Sequence, residues 1–114
     1  MNEIFAQGDL LIERVPDVSH FGTRVMPDSQ GAIVVLDGET TGHRHAFHDA
    51  VLMFRDDALA RDVPDGLYVG HVRVLGETAK LEHEEHAAIE IPRGTWRVRR
   101  QREMEPKQAR VIQD

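Results

Sequence analysis

The chain contains no cysteine. That removes disulfides, thiolate metal sites and cysteine nucleophiles together, and it fits a reducing compartment. No apolar run is longer than the five residues of Ala32-Ile33-Val34-Val35-Leu36, far short of the roughly 20 that cross a bilayer as a helix. The opening Met1-Asn2-Glu3-Ile4-Phe5 has an acid and no basic segment, so no secretory signal and no membrane contact are expected, and the expected location is cytoplasmic. No Gly-x-x-x-x-Gly-Lys-Ser/Thr or Gly-x-Gly-x-x-Gly string occurs, which sets aside the common nucleotide-binding loops. Neither serine, Ser19 or Ser29, lies in a Gly-x-Ser-x-Gly elbow, and the adjacency of Ser19 and His20 makes no catalytic triad. After Trp96 the basic end of the chain carries no aromatic residue, so a base-stacking platform for single strands is not expected.

The 114 residues are 40% hydrophobic and 30% charged, the make-up of one globular domain with a single core. The net charge of −6 is unevenly spread: residues 93–110 carry seven basic and two acidic side chains. An acidic body with a basic end points to self-association, expected here as a homodimer, or to a small anionic ligand near the tail. It does not favour nucleic acid as a partner. Taken singly, each arginine is more simply a solvated side chain on a strand face.

Short strands separated by turn signals fill the sequence. Gly8–Val15 reads as a strand ended by Pro16-Asp17. Ser19–Gln30 reads as a long connection with a short strand at Thr23–Met26. Ala32–Leu36 reads as a fully buried strand, followed by a turn at Asp37-Gly38. Ala50–Phe54 is another strand, Arg55–Arg61 one helical turn, and Val63-Pro64-Asp65-Gly66 a turn. Leu67–Leu75, a reversal at Gly76-Glu77, and Thr78–Leu81 read as a hairpin. Glu82–Ile91 suits either a helix, with His83 and His86 on one face, or a bend followed by a strand. The alternation up to Ile91-Pro92 favours a bend at His83-Glu84-Glu85 and a strand from His86 to Ile91. Thr95–Arg100 is the last clear strand, and Ala109–Ile112 reads either as an edge strand or as a segment against a second subunit. Eight to ten such strands imply an all-β, antiparallel sandwich or barrel.

Five of the seven histidines lie in two stretches, Gly38–Asp49 and Leu81–Gly94. On a strand His43 and His45 project from one side with room for an ion between them. Neutral imidazole is the commonest side-chain metal ligand, so a His-x-His pair is a start for a three- or four-ligand site. A histidine standing alone, such as His71, is better read as packed or solvated.

Gly38 followed by His43-Arg44-His45, with Asp49 four positions after His45, and then Ile91-Pro92-Arg93-Gly94-Thr95-Trp96-Arg97 together resemble the two motifs of the cupins, the small jelly-roll barrel family. In that pattern an acid follows His-x-His, and a histidine follows Pro-x-Gly. Here the acid is Asp49 rather than glutamate, and Arg97 stands at the second-motif histidine position. The resemblance implies a cupin-like jelly-roll barrel holding a divalent ion (zinc, nickel, iron or manganese) through imidazoles. Either His86 or the neighbouring His83 supplies the missing imidazole, or Arg97 points inward, alongside Arg99, and binds a substrate carboxylate or phosphate. If Trp96 faces the interior, Arg97 faces away and the second arrangement fails.

Three functions follow. In the first, His43, His45, His83 and His86 hold the ion of a small enzyme acting on an anionic substrate, with Glu84 or Glu85 as general base. In the second, the same fold is a non-catalytic module that binds or senses a small ligand without metal. In the third, histidine-rich loops carry or report an ion in a pH-dependent way.

Overall fold

Alternation of apolar and polar residues makes this chain a sheet, and the computed structural model describes it over residues 3–17, 22–37 and 43–101. The strands are β1 (Ile4–Gln7), β2 (Leu10–Val15), β3 (Thr23–Val25), β4 (Ile33–Asp37), β5 (Arg44–Phe47), β6 (Val51–Arg55), β7 (Tyr68–Glu82) and β8 (Ile89–Arg100). All their pairings are antiparallel. Among the described residues the one helical element is a 3-10 turn at Asp57–Leu59, inside the stretch expected to form a helical turn.

The sheet runs in the order β1-β2-β8-β7-β5-β4, with β6 attached to β7 and β3 to β6. Its spine is the long hairpin of β7 and β8. Along one side of β7 lies β8; on the other, residues 71–74 pair with β6, and Leu81 and Glu82 pair with β5. The all-β, antiparallel expectation therefore stands, but the barrel does not close. Among the described residues β1 and β4 each have a neighbour on one side only, which leaves an open, branched sheet.

Three expected breaks are different in the structure. Gly76-Glu77 does not reverse the chain: β7 continues through it, and the irregularity is absorbed where Val74 faces Gly94 and Thr78 faces Pro92. Three residues on β7 there face one on β8, which is a bulge. Pro92 and Gly94 do not stop β8 either. Pairing with β2 covers only Thr95–Arg100, so Pro92 lies where β8 has a single neighbour, a context that tolerates a missing donor. Conversely, the strand expected over Gly8–Val15 begins two residues later and is preceded by β1. Gly8, at φ 60°, opens a two-residue hairpin loop that pairs Gln7 with Leu10. The expected features at Gly38 and Ala109–Ile112 lie outside the described residues.

Leu10, Ile12, Val35, Phe47, Met53, Val72, Val74, Leu81, Ile91, Trp96 and Val98 form one core. Trp96 is fully enclosed: its Nε1 donates to Pro92 O at 2.9 Å, its ring meets Phe5 at 5.5 Å, and the Arg14 guanidinium lies 4.4 Å from its centroid. On the opposite face His71 is buried, stacked on Phe54 at 5.5 Å and joined through Nδ1 to Tyr68 Oη at 2.7 Å. His71 is thus a packed residue, as the sequence suggests. Trp96→Ala should lower the unfolding free energy by about 3–5 kcal/mol in denaturant titration. Arg97→Ala, on the other face, should cost clearly less; equal losses would contradict this assignment of faces.

Candidate metal centre

Three segments meet at one end of the core. The first is the start of β5, where alternation places His45 and Phe47 inward and leaves His45 only 4% exposed. The second is the connection from β7 to β8, residues 83–88, which carries His83, Glu84, Glu85 and His86. The third, not anticipated from the sequence, is the β1–β2 turn with Gln7, Gly8 and Asp9. The structure brings the four candidate histidines together: ring centroids are 5.6 Å apart for His43 and His83, 4.4 Å for His45 and His83, and 4.6 Å for His83 and His86.

Gln7, 3% exposed, organises this end. Its Nε2 donates to Leu81 O at 2.9 Å and to Ala87 O at 3.0 Å. Both amide hydrogens are spent on carbonyls, so Oε1 must be the atom facing His45 Nδ1 at 2.8 Å, and Nδ1 must donate to it. The neutral His45 ring then keeps its lone pair on Nε2, the nitrogen that faces Asp9 Oδ1 at 3.6 Å. Burial lowers the His45 pKa to about 4, helped by the neighbouring His83 and His86 and opposed by Asp9. At neutral pH the contact with Asp9 is therefore not an ion pair.

The other rings differ. His83 Nδ1 accepts from the Glu85 N–H at 3.0 Å, which leaves the ring proton on Nε2. His43 Nδ1 lies 3.4 Å from Glu85 Oε1. A Cβ on Gly8 would stand 2.9 Å from His86 Nε2 and 3.4 Å from His45 Cε1, so both rings pack where only glycine leaves room. The turn itself is pinned by Gln101, whose N–H donates to Asp9 O at 2.8 Å and whose Nε2 donates to Gly8 O at 3.1 Å.

Among the described residues no group of three or more His, Cys, Asp or Glu side chains is already disposed to hold one ion. The donor set around Gly8 (His45, His86 and the Asp9 carboxylate) nonetheless suits zinc, nickel, iron or manganese. His86 is solvent-exposed and Asp9 half-exposed, so the adjustment needed falls on the outer side chains rather than on His45.

The remaining candidates lie elsewhere or serve the backbone. Glu84 Oε1 accepts from the Arg44 N–H at 2.8 Å, and that bond holds its carboxyl below the usual range, away from what a general base needs. Asp49, the acid of the first motif, accepts from the Lys80 N–H at 2.7 Å. Arg97 projects opposite Trp96, with Nε and Nη2 both on Glu13 Oε2 at 2.9 Å and Nη1 on Asp62 at 2.7 Å. Arg99 Nε lies 3.6 Å from the same Glu13 oxygen. Both arginines are therefore on the face away from the four clustered histidines. Outside His83, a shallow depression of about 180 Å³ is lined by Arg44, Ala46, His48, Glu82, His83 and Glu84.

These features define a small antiparallel all-β domain with a buried, oriented imidazole at one end of its core. The chain belongs to the family described as a domain of unknown function, DUF8820, whose model matches residues 6–101. That span includes Gln7, Asp9 and all four histidines of the cluster. No curated protein and no solved structure matches the chain significantly.

The His45 shift has a definite sign. As pH falls below 6.5 the unfolded chain takes up a proton on this residue, while the folded protein resists until about 4. The contribution, roughly 3 kcal/mol at most, is present above the unfolded value and is lost as pH falls toward the folded one. Urea unfolding of chelator-treated protein between pH 7 and 4 should show this loss, and His45→Gln should remove that part of the slope. Identical slopes in the two proteins would contradict a buried neutral His45.

Proposed function

We propose that this protein is a small metal-binding protein whose histidine cluster holds a divalent ion, with His45 as the anchoring ligand. The observation that supports this most is the tautomer of His45. Metal-binding histidines present one nitrogen to the ion and donate the other ring N–H to a fixed acceptor, and Gln7 Oε1 is such an acceptor. His86 and Asp9 stand beside His45 across Gly8, and His43 and His83 complete the cluster. His83 joins the ligands only by giving up its bond from the Glu85 N–H. Bound there, the ion would act as a Lewis acid or lower the pKa of a bound water.

A cupin-like jelly-roll ancestry remains our reading of the two sequence motifs, the sheet being open among the described residues. We place the protein in the cytoplasm as a homodimer, the β1 and β4 edges, unpaired among the described residues, and its charge asymmetry being the features that favour pairing. An enzyme acting on a small anion is the fuller form of this reading, with Glu85, whose side chain is 66% exposed, as the carboxylate near the cluster. A non-catalytic binding or sensing module is the second reading. It is favoured by the lowered pKa of Glu84, which weakens it as a base, and by arginines paired on the far face.

Elemental analysis and calorimetric titration of tag-free protein test the proposal. We expect one divalent ion per chain, with affinity reduced at least about 10-fold in both His45→Ala and the more exposed His86→Ala. Uptake that neither substitution alters would overturn it.

A further inference from the structure

We infer that Gln7 is a positioning residue that joins the proposed ligand His45 to the histidine-bearing β7–β8 connection, an inference resting on the metal-binding reading. Its three hydrogen bonds reach three different segments. Oε1 receives the His45 Nδ1 proton from β5; Nε2 reaches Leu81 O near the end of β7 and Ala87 O just beyond His86. Leu81 and Ala87 bracket His83 and His86, so one amide holds both ends of the loop that carries them. The same amide sets which nitrogen of His45 carries the proton, leaving Nε2 toward Asp9.

The arrangement needs a group with one acceptor and two donors at this position, and only a side-chain amide supplies both. A carboxylate in its place would still accept from His45 Nδ1 but could not donate to the two carbonyls. An apolar side chain of similar length would do neither, and would leave Leu81 O and Ala87 O without this donor. The two roles of Gln7, orienting the ring and clamping the loop, can therefore be separated by substitution. The adjacent residues fit the same purpose. Gly8 at φ 60° lets the chain turn directly after Gln7 without a Cβ striking the His86 ring, and Asp9 follows with its carboxylate toward His45 Nε2. The β1–β2 turn is thus a wall of the site rather than a plain connection.

The test uses the full chain free of metal, with ¹⁵N-labelled histidine, followed by zinc titration. In the unaltered protein above pH 7, His45 should show a protonated Nδ1 and a pyridine-like Nε2. In Gln7→Leu that preference should be lost, the amide protons of residues 83–87 should exchange faster, and zinc affinity should fall about 10- to 100-fold. In Gln7→Glu the His45 tautomer should persist while exchange in residues 83–87 still rises. If Gln7→Leu fails to fold, Gln7→Glu alone decides, since unchanged exchange there overturns the clamping role. A pyridine-like Nδ1 in the unaltered protein overturns the orienting role, as does an unchanged tautomer in folded Gln7→Leu. If the expected tautomer is seen but zinc does not bind, the positioning role stands and the metal-binding reading fails.

Discussion

Burying a polar side chain is costly unless every donor and acceptor finds a partner. At Gln7 that requirement governs the whole end of the core. The amide is 3% exposed, and its two carbonyl acceptors leave it one orientation. That orientation dictates the proton position on His45, and His45 in turn is kept neutral by burial. A buried network satisfied in this way specifies one geometry, whereas a half-satisfied one would destabilise the fold. The placing of the imidazole lone pair on Nε2, toward Asp9, follows from two backbone carbonyls, one on β7 and one in the β7–β8 connection.

The long β7–β8 hairpin is what allows the network to exist. β7 carries the Leu81 carbonyl to the same end of the sheet as β5, with which it pairs at Leu81 and Glu82. β2 pairs with β8 from Leu10 opposite Arg100 to Val15 opposite Thr95, which puts the β1–β2 turn at the Tyr68–Arg100 end of the hairpin, away from Leu81 and Ile89 along the strands. The bonds of Gln7 to Leu81 O and Ala87 O therefore require the sheet to curl back on itself, so that segments at opposite ends of the hairpin meet. The hairpin also puts two long strands in the place of the four short ones expected there.

Class and strand content were legible in the sequence because alternation is a local signal: Thr23–Val25, Val51–Arg55 and the turn at Asp57–Leu59 all fall where the pattern puts them. Continuity was not. Gly76-Glu77 and Pro92-Arg93-Gly94 carry turn residues, yet the hairpin pairing on either side holds the chain extended through them. The histidine clusters could be paired from their spacing and residue type. Gln7 and Asp9 could not, because the need for a buried acceptor arises only once His45 is known to be enclosed. A signal for the turn was nonetheless present, since Gly8-Asp9 separates Ile4–Gln7 from the apolar alternation that begins at Leu10. Arg97 shows the converse. Its position in a resembling motif suggested a ligand contact, but its neighbour Trp96 occupies the core and strand alternation turns the guanidinium to Glu13 and Asp62.

The central claim is that His45 offers Nε2 to an ion in company with a second imidazole. X-ray absorption at the zinc edge, on protein loaded with one equivalent of zinc, addresses it most directly. The account predicts at least two imidazole nitrogens at about 2.0–2.1 Å, with the outer-shell scattering of intact rings. A first shell made of oxygen alone would contradict it.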